Sequence, residues 1–214
     1  MVGMTNDSLQ AARQPLQRPP GGARTRWGAR DLGLVSVFAA LLAALTLVPA
    51  IPVGPLGVPI TLQTLAVSLV ALCLGSLRGT TSVLLYVVVG LAGVPIFARF
   101  SGGLGVLAGP TAGYLLAFPI AALVAGALAT LVLRRTRRAR ALWLFAAAMA
   151  GSILVTHPLG ILGMSLNGHI PLGQAALVDL AYWPGDLVKN LIAALVATTV
   201  FKAFPRMARR DFTA

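Results

Sequence analysis

The sequence predicts an all-α integral membrane protein with six transmembrane helices and both termini on the cytoplasmic side. Three observations lead to this prediction: the composition, the long apolar segments, and the distribution of positive charge. Of the 214 residues, 57% are hydrophobic and only 10% are charged, whereas a soluble domain has roughly 25% charged residues. Such a chain lacks the charged surface that keeps a soluble protein dispersed, so the composition indicates a membrane protein.

Long apolar segments mark the predicted helices. A helix needs about 20 mostly apolar residues to cross a bilayer, and six segments of the chain approach that length. They cover residues 32–48, 59–75, 80–97, 111–133, 141–163 and 184–204. Each is bounded by charged residues, proline or glycine, and none alternates strictly as a barrel strand would. We therefore expect six helices.

Positive charge predicts the orientation of these helices. Seventeen Lys and Arg residues stand against five acidic ones, for a net charge of +12. Fifteen of the seventeen lie in the N-terminal tail, the second and fourth loops, and the C-terminal end. Basic loops stay in the cytoplasm, so we expect both termini there. The Arg134–Arg140 cluster is interpreted as an orientation signal that also contacts anionic lipid, in preference to a nucleic-acid site.

Three regions follow from this map. We expect residues 1–30 to form a disordered basic cytoplasmic tail, because they are too polar to bury a core. Residues 31–205 form the predicted six-helix membrane domain, with a ligand pocket that faces outward. Residues 206–214 form a second basic cytoplasmic tail. The single cysteine, Cys73, excludes an internal disulfide.

Two charged residues lie inside the last predicted helix. Asp186 and Lys189 follow Pro184 and are three residues apart, which places them on one helical face. Charged groups within a membrane span are costly and usually face a cavity, so this pair marks a candidate binding site. The alternative is that Asp186 only caps the helix while Lys189 neutralises it.

Other polar residues are expected at the same outer level of the bilayer. They are Thr61, Gln63 and Thr64 at the start of the second helix, Arg99 in the third loop, and Thr111 and Tyr114 at the start of the fourth. Together they predict a pocket open to the outside. His157 belongs to the same level, but it precedes Pro158 and is interpreted first as a partner for backbone carbonyls freed by a proline kink.

Two external loops have unusual compositions. The third loop, residues 99–114, is rich in glycine, and it either folds into the outer vestibule or packs helices closely through Gly105, Gly109 and Gly113. The first loop, residues 48–59, has four prolines and no charge, so it is either a stiff apolar lid or a plain connector. No phosphate-binding loop motif occurs anywhere in the chain, which excludes ATP hydrolysis of that type.

Small residues repeat along the first predicted helix. Ala39 and Ala43 are four residues apart, as are Ala40 and Ala44. Such spacing lets helices meet closely in lipid. The face fits either a partner protein or packing within the bundle.

These motifs, taken together, resemble the BioY family, the biotin-specific substrate-binding subunits of energy-coupling-factor transporters. The resemblance covers residues 35–204, except that the stretch 152–183 departs from the family pattern. The matching segments are 58–64 (VPITLQT), 74–79 (LGSLRG), 85–97 (LYVVVGLAGVPIF), 102–105 (GGLG), 109–114 (GPTAGY) and 184–189 (PGDLVK).

The resemblance implies a multi-pass subunit of the cell membrane that captures biotin from outside. It implies as partners a transmembrane coupling protein and two cytoplasmic ATPase subunits. By the same resemblance, Asp186 and Lys189 contact biotin, an arginine of the third loop corresponds to Arg99, and the coupling protein meets Ala39 and Ala43.

Biotin chemistry agrees with the residues picked out above. Its ureido ring offers two N–H donors and a carbonyl, which Asp186 and Lys189 can meet together. Its carboxylate needs a cation such as Arg99 or the backbone N–H groups of the loop. Tyr114 and Phe97, with the lid, supply an apolar wall.

Other functions remain as alternatives. The chain fits a subunit for another small vitamin or, in a different class, a membrane scaffold that transports nothing. Ser165 and His169 could suggest an intramembrane protease, but both fall at one external loop and no second helix supplies a base. We expect no enzymatic activity and no cofactor.

Overall fold

The computed structural model describes residues 27–52, 57–136 and 140–205. The two predicted tails therefore lie almost wholly outside the described residues, although the first helix already begins at Ala29. The helices are α1 (Ala29–Thr46), α2 (Gln63–Leu91), α3 (Ala112–Arg135), α4 (Arg140–Gly151), α5 (His157–Gly168), α6 (Leu172–Asp179) and α7 (Trp183–Ala203). Two short strands, β1 (Ile51–Pro52) and β2 (Pro59–Ile60), and two 3₁₀ turns, Ala98–Phe100 and Leu104–Ala108, complete the connections.

Five helical segments of the described chain are long and apolar enough to cross a membrane. They are Ala29–Thr46, Gln63–Leu91, Ala112–Arg135, Arg140–Gly168 and Trp183–Ala203. The fourth combines α4 and α5 through a π-helical turn at Ser152–Thr156. The predicted fold class is thus confirmed as a helical membrane protein, and the difference from six segments arises in α2, which contains both the second and the third predicted helices.

Helix α2 reverses direction at Gly75. This glycine has φ 76° and ψ −170°, which is outside the helical region and costs least at a glycine. A Cβ placed on Gly79 would lie 3.1 Å from the Cα of Ala71, whereas eight residues of straight helix span about 12 Å. Gln63 and Tyr86, 23 residues apart, are also joined by a hydrogen bond of 2.8 Å. Residues 63–74 and 76–91 are therefore two limbs that lie side by side.

Close contacts between small residues hold the helices together. A Cβ on Gly126 of α3 would lie 2.6 Å from the carbonyl carbon of Gly75, and a Cβ on Gly113 would lie 2.8 Å from the Cα of Gly163 in α5. In lipid there is no hydrophobic force that brings helices together, so they associate through close van der Waals packing, which small residues allow. The interpretation of the third-loop glycines as packing residues agrees with the contacts of Gly113, whereas a Cβ on Gly105 would meet no atom within 4 Å.

Large apolar side chains cover the outside of the bundle. On α3, Leu116, Leu123 and Leu131 are exposed, while the intervening alanines Ala117 and Ala121 are buried. In a soluble protein the large apolar side chains would be buried, whereas here they are exposed, as expected of a surface that faces hydrocarbon.

The two small-residue pairs of the first helix have different surroundings, and those of Ala39 and Ala43 agree with packing within the bundle. Ala39 is 7% exposed and belongs to the hydrophobic core, and Ala43 packs against that core. Ala40 and Ala44 lie on the adjacent face of α1, about 100° around the helix, and are exposed. That a partner protein meets Ala39 and Ala43 stays a prediction, because spacing alone does not tell which of two adjacent small-residue faces the bundle uses.

Candidate ligand-binding site

A cavity of about 380 Å³ opens at one end of the bundle, within the range of about 300–1,000 Å³ that is usual for small-molecule sites. Its walls are the first turns of α2, α3 and α7, residues 57–60, and the third loop. Helix N-termini carry partial positive charge, so the three first turns favour a negatively charged ligand. All seven predicted ligand-binding residues line this cavity, namely Thr61, Gln63, Arg99, Thr111, Tyr114, Asp186 and Lys189.

The Asp186–Lys189 pair lies at the base of one wall. Lys189 Nζ donates to Asp186 Oδ1 at 3.0 Å and to Thr64 Oγ1 at 3.1 Å. The Thr64 hydroxyl donates to the same carboxylate oxygen at 2.8 Å. Asp186 is 4% exposed. The N-cap residue of α7, Tyr182, makes no side-chain cap bond, and Asp186 lies in the first turn of α7, where the helix dipole favours a carboxylate.

Gln63 is held by Thr61, which the sequence predicted for the pocket, and by Tyr86, which it did not. Its amide donates to the hydroxyl of Tyr86 at 2.8 Å, and its carbonyl accepts from Thr61 Oγ1 at 3.0 Å. The Tyr86 hydroxyl also lies 3.3 Å from Thr46 Oγ1. This chain of bonds fixes the orientation of Gln63 at the cavity wall. Tyr86 itself stands in an apolar segment without a sequence signal.

Arg99 lies at the mouth of the cavity on a turn with left-handed backbone geometry. Its φ of 59° is paired with a φ of 56° at Phe100, a conformation that non-glycine residues seldom adopt. The guanidinium Nη2 donates to the carbonyl oxygen of Gly57 at 3.0 Å. Arg99 is exposed, so this end of the cavity is in contact with water.

The first loop folds over the cavity as a small hairpin. Ile51 pairs with Ile60 and Pro52 with Pro59, and Val58 is 5% exposed. Residues 57–60 line the cavity, as the lid interpretation requires, while residues 53–56 lie outside the described part of the chain. That the loop opens and closes stays a prediction.

Tyr182 fastens this loop to the start of α7. Its hydroxyl donates to the carbonyl oxygen of Val58 at 2.9 Å. Burial, followed by the nearby Asp179 carboxylate, raises the pKa of Tyr182 above its ordinary value. The hydroxyl therefore keeps its proton and remains a donor at physiological pH.

Tyr114 lines the cavity from α3, and its ring packs against Gly160, where a Cβ would collide with the ring. The hydroxyl of Tyr114 donates to Asp179 Oδ1 at 2.5 Å. Thr111 occupies the residue before α3 and lines the cavity without a side-chain cap bond.

Asp179 and His157 form a buried pair that the sequence did not predict. His157 was expected to bond freed backbone carbonyls, but its Nδ1 lies 2.9 Å from Asp179 Oδ2. Asp179 was not identified at all, although it is one of five acidic residues in a 214-residue apolar chain. That rarity was the available signal.

The protease alternative finds no support in the geometry. The hydroxyl of Ser165 donates to the carbonyl oxygen of Ile170 at 2.8 Å. His169 is exposed and caps the end of α5 in a left-handed conformation. Within residues 27–52, 57–136 and 140–205, no group of three or more His, Cys, Asp or Glu side chains could hold a metal ion.

A solved structure shares this fold. The crystal structure of the S-component for biotin from an ECF-type ABC transporter matches with a TM-score of 0.76, covering 94% of this chain and 95% of that one. The sequence identity is 22%, so the likeness concerns the fold.

Sequence comparisons identify the family. The biotin transporter BioY of Rhodobacter capsulatus is 42% identical over 186 residues, which is 82% of this chain and 95% of that protein. The biotin transporter BioY of Rhizobium etli is 34% identical over 85% of this chain and 98% of its own length. The sequence model of the BioY family matches residues 16–206. The chain therefore belongs to the BioY family.

Proposed function

We propose that this protein is a membrane subunit that binds biotin and mediates its uptake. The buried Asp186–Lys189 pair on the cavity wall is the observation that carries the proposal. Membership of the BioY family and two relatives named as biotin transporters support it. The protein is a transport component and not an enzyme.

The proposed binding mode uses the two ends of the cavity. The ureido carbonyl accepts from Lys189, and a ureido N–H donates to Asp186. Tyr114 and Phe97 pack against the thiolane ring and the alkyl chain. The carboxylate then reaches the mouth, where Arg99 and the N-terminal turn of α3 at Thr111 favour a negative charge. Thr61 and Gln63 complete the polar wall.

We further propose six spans with both termini in the cytoplasm of a cell whose plasma membrane holds the protein. Counting the two limbs of α2 separately turns five segments into six, and an even number returns the chain to its starting side. An ion pair of 2.7 Å between Arg78 and Asp31 supports this arrangement, because it joins the reversal in α2 to the start of α1.

Uptake against a gradient requires partners in this proposal. The chain has no phosphate-binding loop motif, so energy comes from two ATPase subunits through a transmembrane coupling protein. On α1 the surface open to such a partner carries Ala40 and Ala44, which are exposed, in place of the buried Ala39.

Equilibrium binding of labelled biotin to the purified protein in detergent tests the function. We expect saturable binding that thiamine and riboflavin do not compete, and weaker binding in both Asp186→Asn and Lys189→Ala. Thr199→Ala is the matched control, since its exposed hydroxyl bonds only the carbonyl of Leu195 in the same helix.

Three outcomes would contradict the proposal. Absence of saturable binding favours the scaffold. Competition by thiamine or riboflavin favours another vitamin. Unchanged affinity in both site variants removes Asp186 and Lys189 from the site.

A further inference from the structure

A buried cluster of ionisable side chains lies behind the cavity wall. His157 on α5 stands between Asp179 at the end of α6 and Asp186 near the start of α7. Their exposed fractions are 2%, 0% and 4%. Asp186 lines the cavity, whereas the other two do not. His157 and Asp179 are thus placed to act on the ligand only through Asp186.

Both ring nitrogens of His157 face carboxylates. Nδ1 lies 3.0 Å from Asp179 Oδ1 and 2.9 Å from Oδ2, and Nε2 lies 3.8 Å from Asp186 Oδ2. A neutral imidazole has one N–H and one lone pair. Either neutral tautomer therefore directs a lone pair at a carboxylate oxygen, while an imidazolium presents an N–H to both.

The neighbours of Asp179 hold its carboxyl group in place. Tyr114 of α3 donates to one of its oxygens at 2.5 Å, and the indole of Trp183 donates to the other at 2.9 Å. The Trp183 ring also stacks on His157, with centroids 4.9 Å apart and planes at 26°. Because both oxygens of Asp179 are held by donors, Asp179 holds His157 in a fixed orientation.

The net charge of the buried cluster also depends on the proton of His157. The charged groups that face His157 are Asp179 from α6, together with Asp186 and, beside it, Lys189 from α7. The nearest other titratable groups are the phenols of Tyr114 and Tyr182, which are neutral donors. With a neutral imidazole the cluster carries one net negative charge in a buried place, which is unfavourable. With an imidazolium its net charge is zero.

We propose that the proton on His157 positions Asp186 for its ligand, so that biotin binding weakens as the pH rises through the titration of His157. Loss of that proton turns a lone pair toward Asp186 Oδ2 and leaves Lys189 to balance two carboxylates. The carboxylate and the ammonium then leave the geometry that the ligand needs. This inference rests on the proposed function, in which Asp186 and Lys189 contact biotin.

The chain is well suited to a direct test, because it has two histidines. Protein labelled with ¹⁵N-histidine is titrated by NMR with and without biotin, and His169→Asn assigns the signals. Biotin affinity is measured at the same pH values. We expect the affinity to fall at least about fivefold across the His157 titration, the lower end of usual coupling between sites. Biotin must also move the midpoint to higher pH, because linkage is reciprocal.

Two histidine variants distinguish a role of His157 in positioning Asp186 from a role in the stability of the fold. His157→Gln is expected to bind biotin weakly and with no pH dependence over this range. His169→Asn is the matched control: residue 169 is exposed and has φ 51°, a conformation that asparagine tolerates. It should keep the wild-type affinity and pH profile.

The results that would contradict the inference differ from those that would contradict the proposed function. Tight binding that does not change while His157 titrates, or a midpoint that biotin does not move, overturns the inference and leaves the proposed function intact. Failure of the wild-type protein to bind biotin at any pH contradicts the proposed function. If His157→Gln does not fold, the titration of the wild-type protein decides alone.

Discussion

The two ends of the cavity each carry one cation, and the two cations are held in opposite ways. Lys189 is on a helix, its side chain is 12% exposed, and it bonds Asp186 at 3.0 Å. Arg99 is on a turn with φ 59°, is exposed, and bonds the carbonyl oxygen of Gly57 at 3.0 Å. One cation has a charged partner and the other a neutral one.

This difference indicates separate tasks. A buried cation needs its counter-ion, because removing one partner leaves the other uncompensated. An exposed arginine that bonds a neutral carbonyl can exchange it for a ligand carboxylate at little cost. The end with Lys189 therefore keeps a fixed geometry, whereas at the end with Arg99 the guanidinium can exchange its carbonyl partner for a ligand carboxylate. Three experiments test this comparison.

The largest expected effect is on stability. Lys189→Met leaves Asp186 buried beside Thr64 without its cation, so we expect the free energy of unfolding to fall by about 3–5 kcal/mol. Arg99→Gln should change it by no more than about 0.5 kcal/mol, as for other surface substitutions. Unfolding in graded SDS measures both. Equal losses in the two variants would remove the distinction between the ends.

A smaller effect is expected on ligand selectivity. A charge-assisted hydrogen bond contributes about 1.5–3 kcal/mol, so Arg99→Gln should weaken biotin binding by about tenfold or more. The affinity for biotinamide, which has no carboxylate, should stay the same. A matched fall for both ligands would place the carboxylate elsewhere.

The smallest effect concerns ionic strength. Salt screens exposed charges more strongly than buried ones, so raising the salt concentration should weaken biotin binding a few-fold through Arg99. In Arg99→Gln this dependence should largely disappear. A salt dependence that survives the substitution would indicate that another exposed charge attracts the ligand.

The inner end of the site was predictable from the sequence because charge is rare there. Asp186 and Lys189 stand out in an apolar segment with the spacing of one helical face. The polar residues at the predicted helix starts, such as Thr61 and Thr111, were found for a related reason. Helices that begin at the same end of a bundle bring their first turns close together, and both residues line the cavity.

Other features depend on tertiary contacts that spacing does not encode. His157 was assigned to a proline kink because its partner, Asp179, comes from a short helix that is too short to appear as a span. Ala39 and Ala40 differ only in which side of α1 the bundle covers. The reversal at Gly75 joins two predicted helices without any intervening loop.

The loop over the cavity is fastened through its main chain. Arg99 bonds the carbonyl of residue 57 and Tyr182 that of residue 58. Every amino acid supplies such a carbonyl, so neither fastening specifies the residue that it holds. Substitution of Val58 leaves its acceptor in place, whereas residue 57 has φ 65° and therefore favours glycine. Loss of either donor unfastens the loop. For protein engineering, residue 58 can be varied to suit a different ligand while Gly57, Arg99 and Tyr182 are kept.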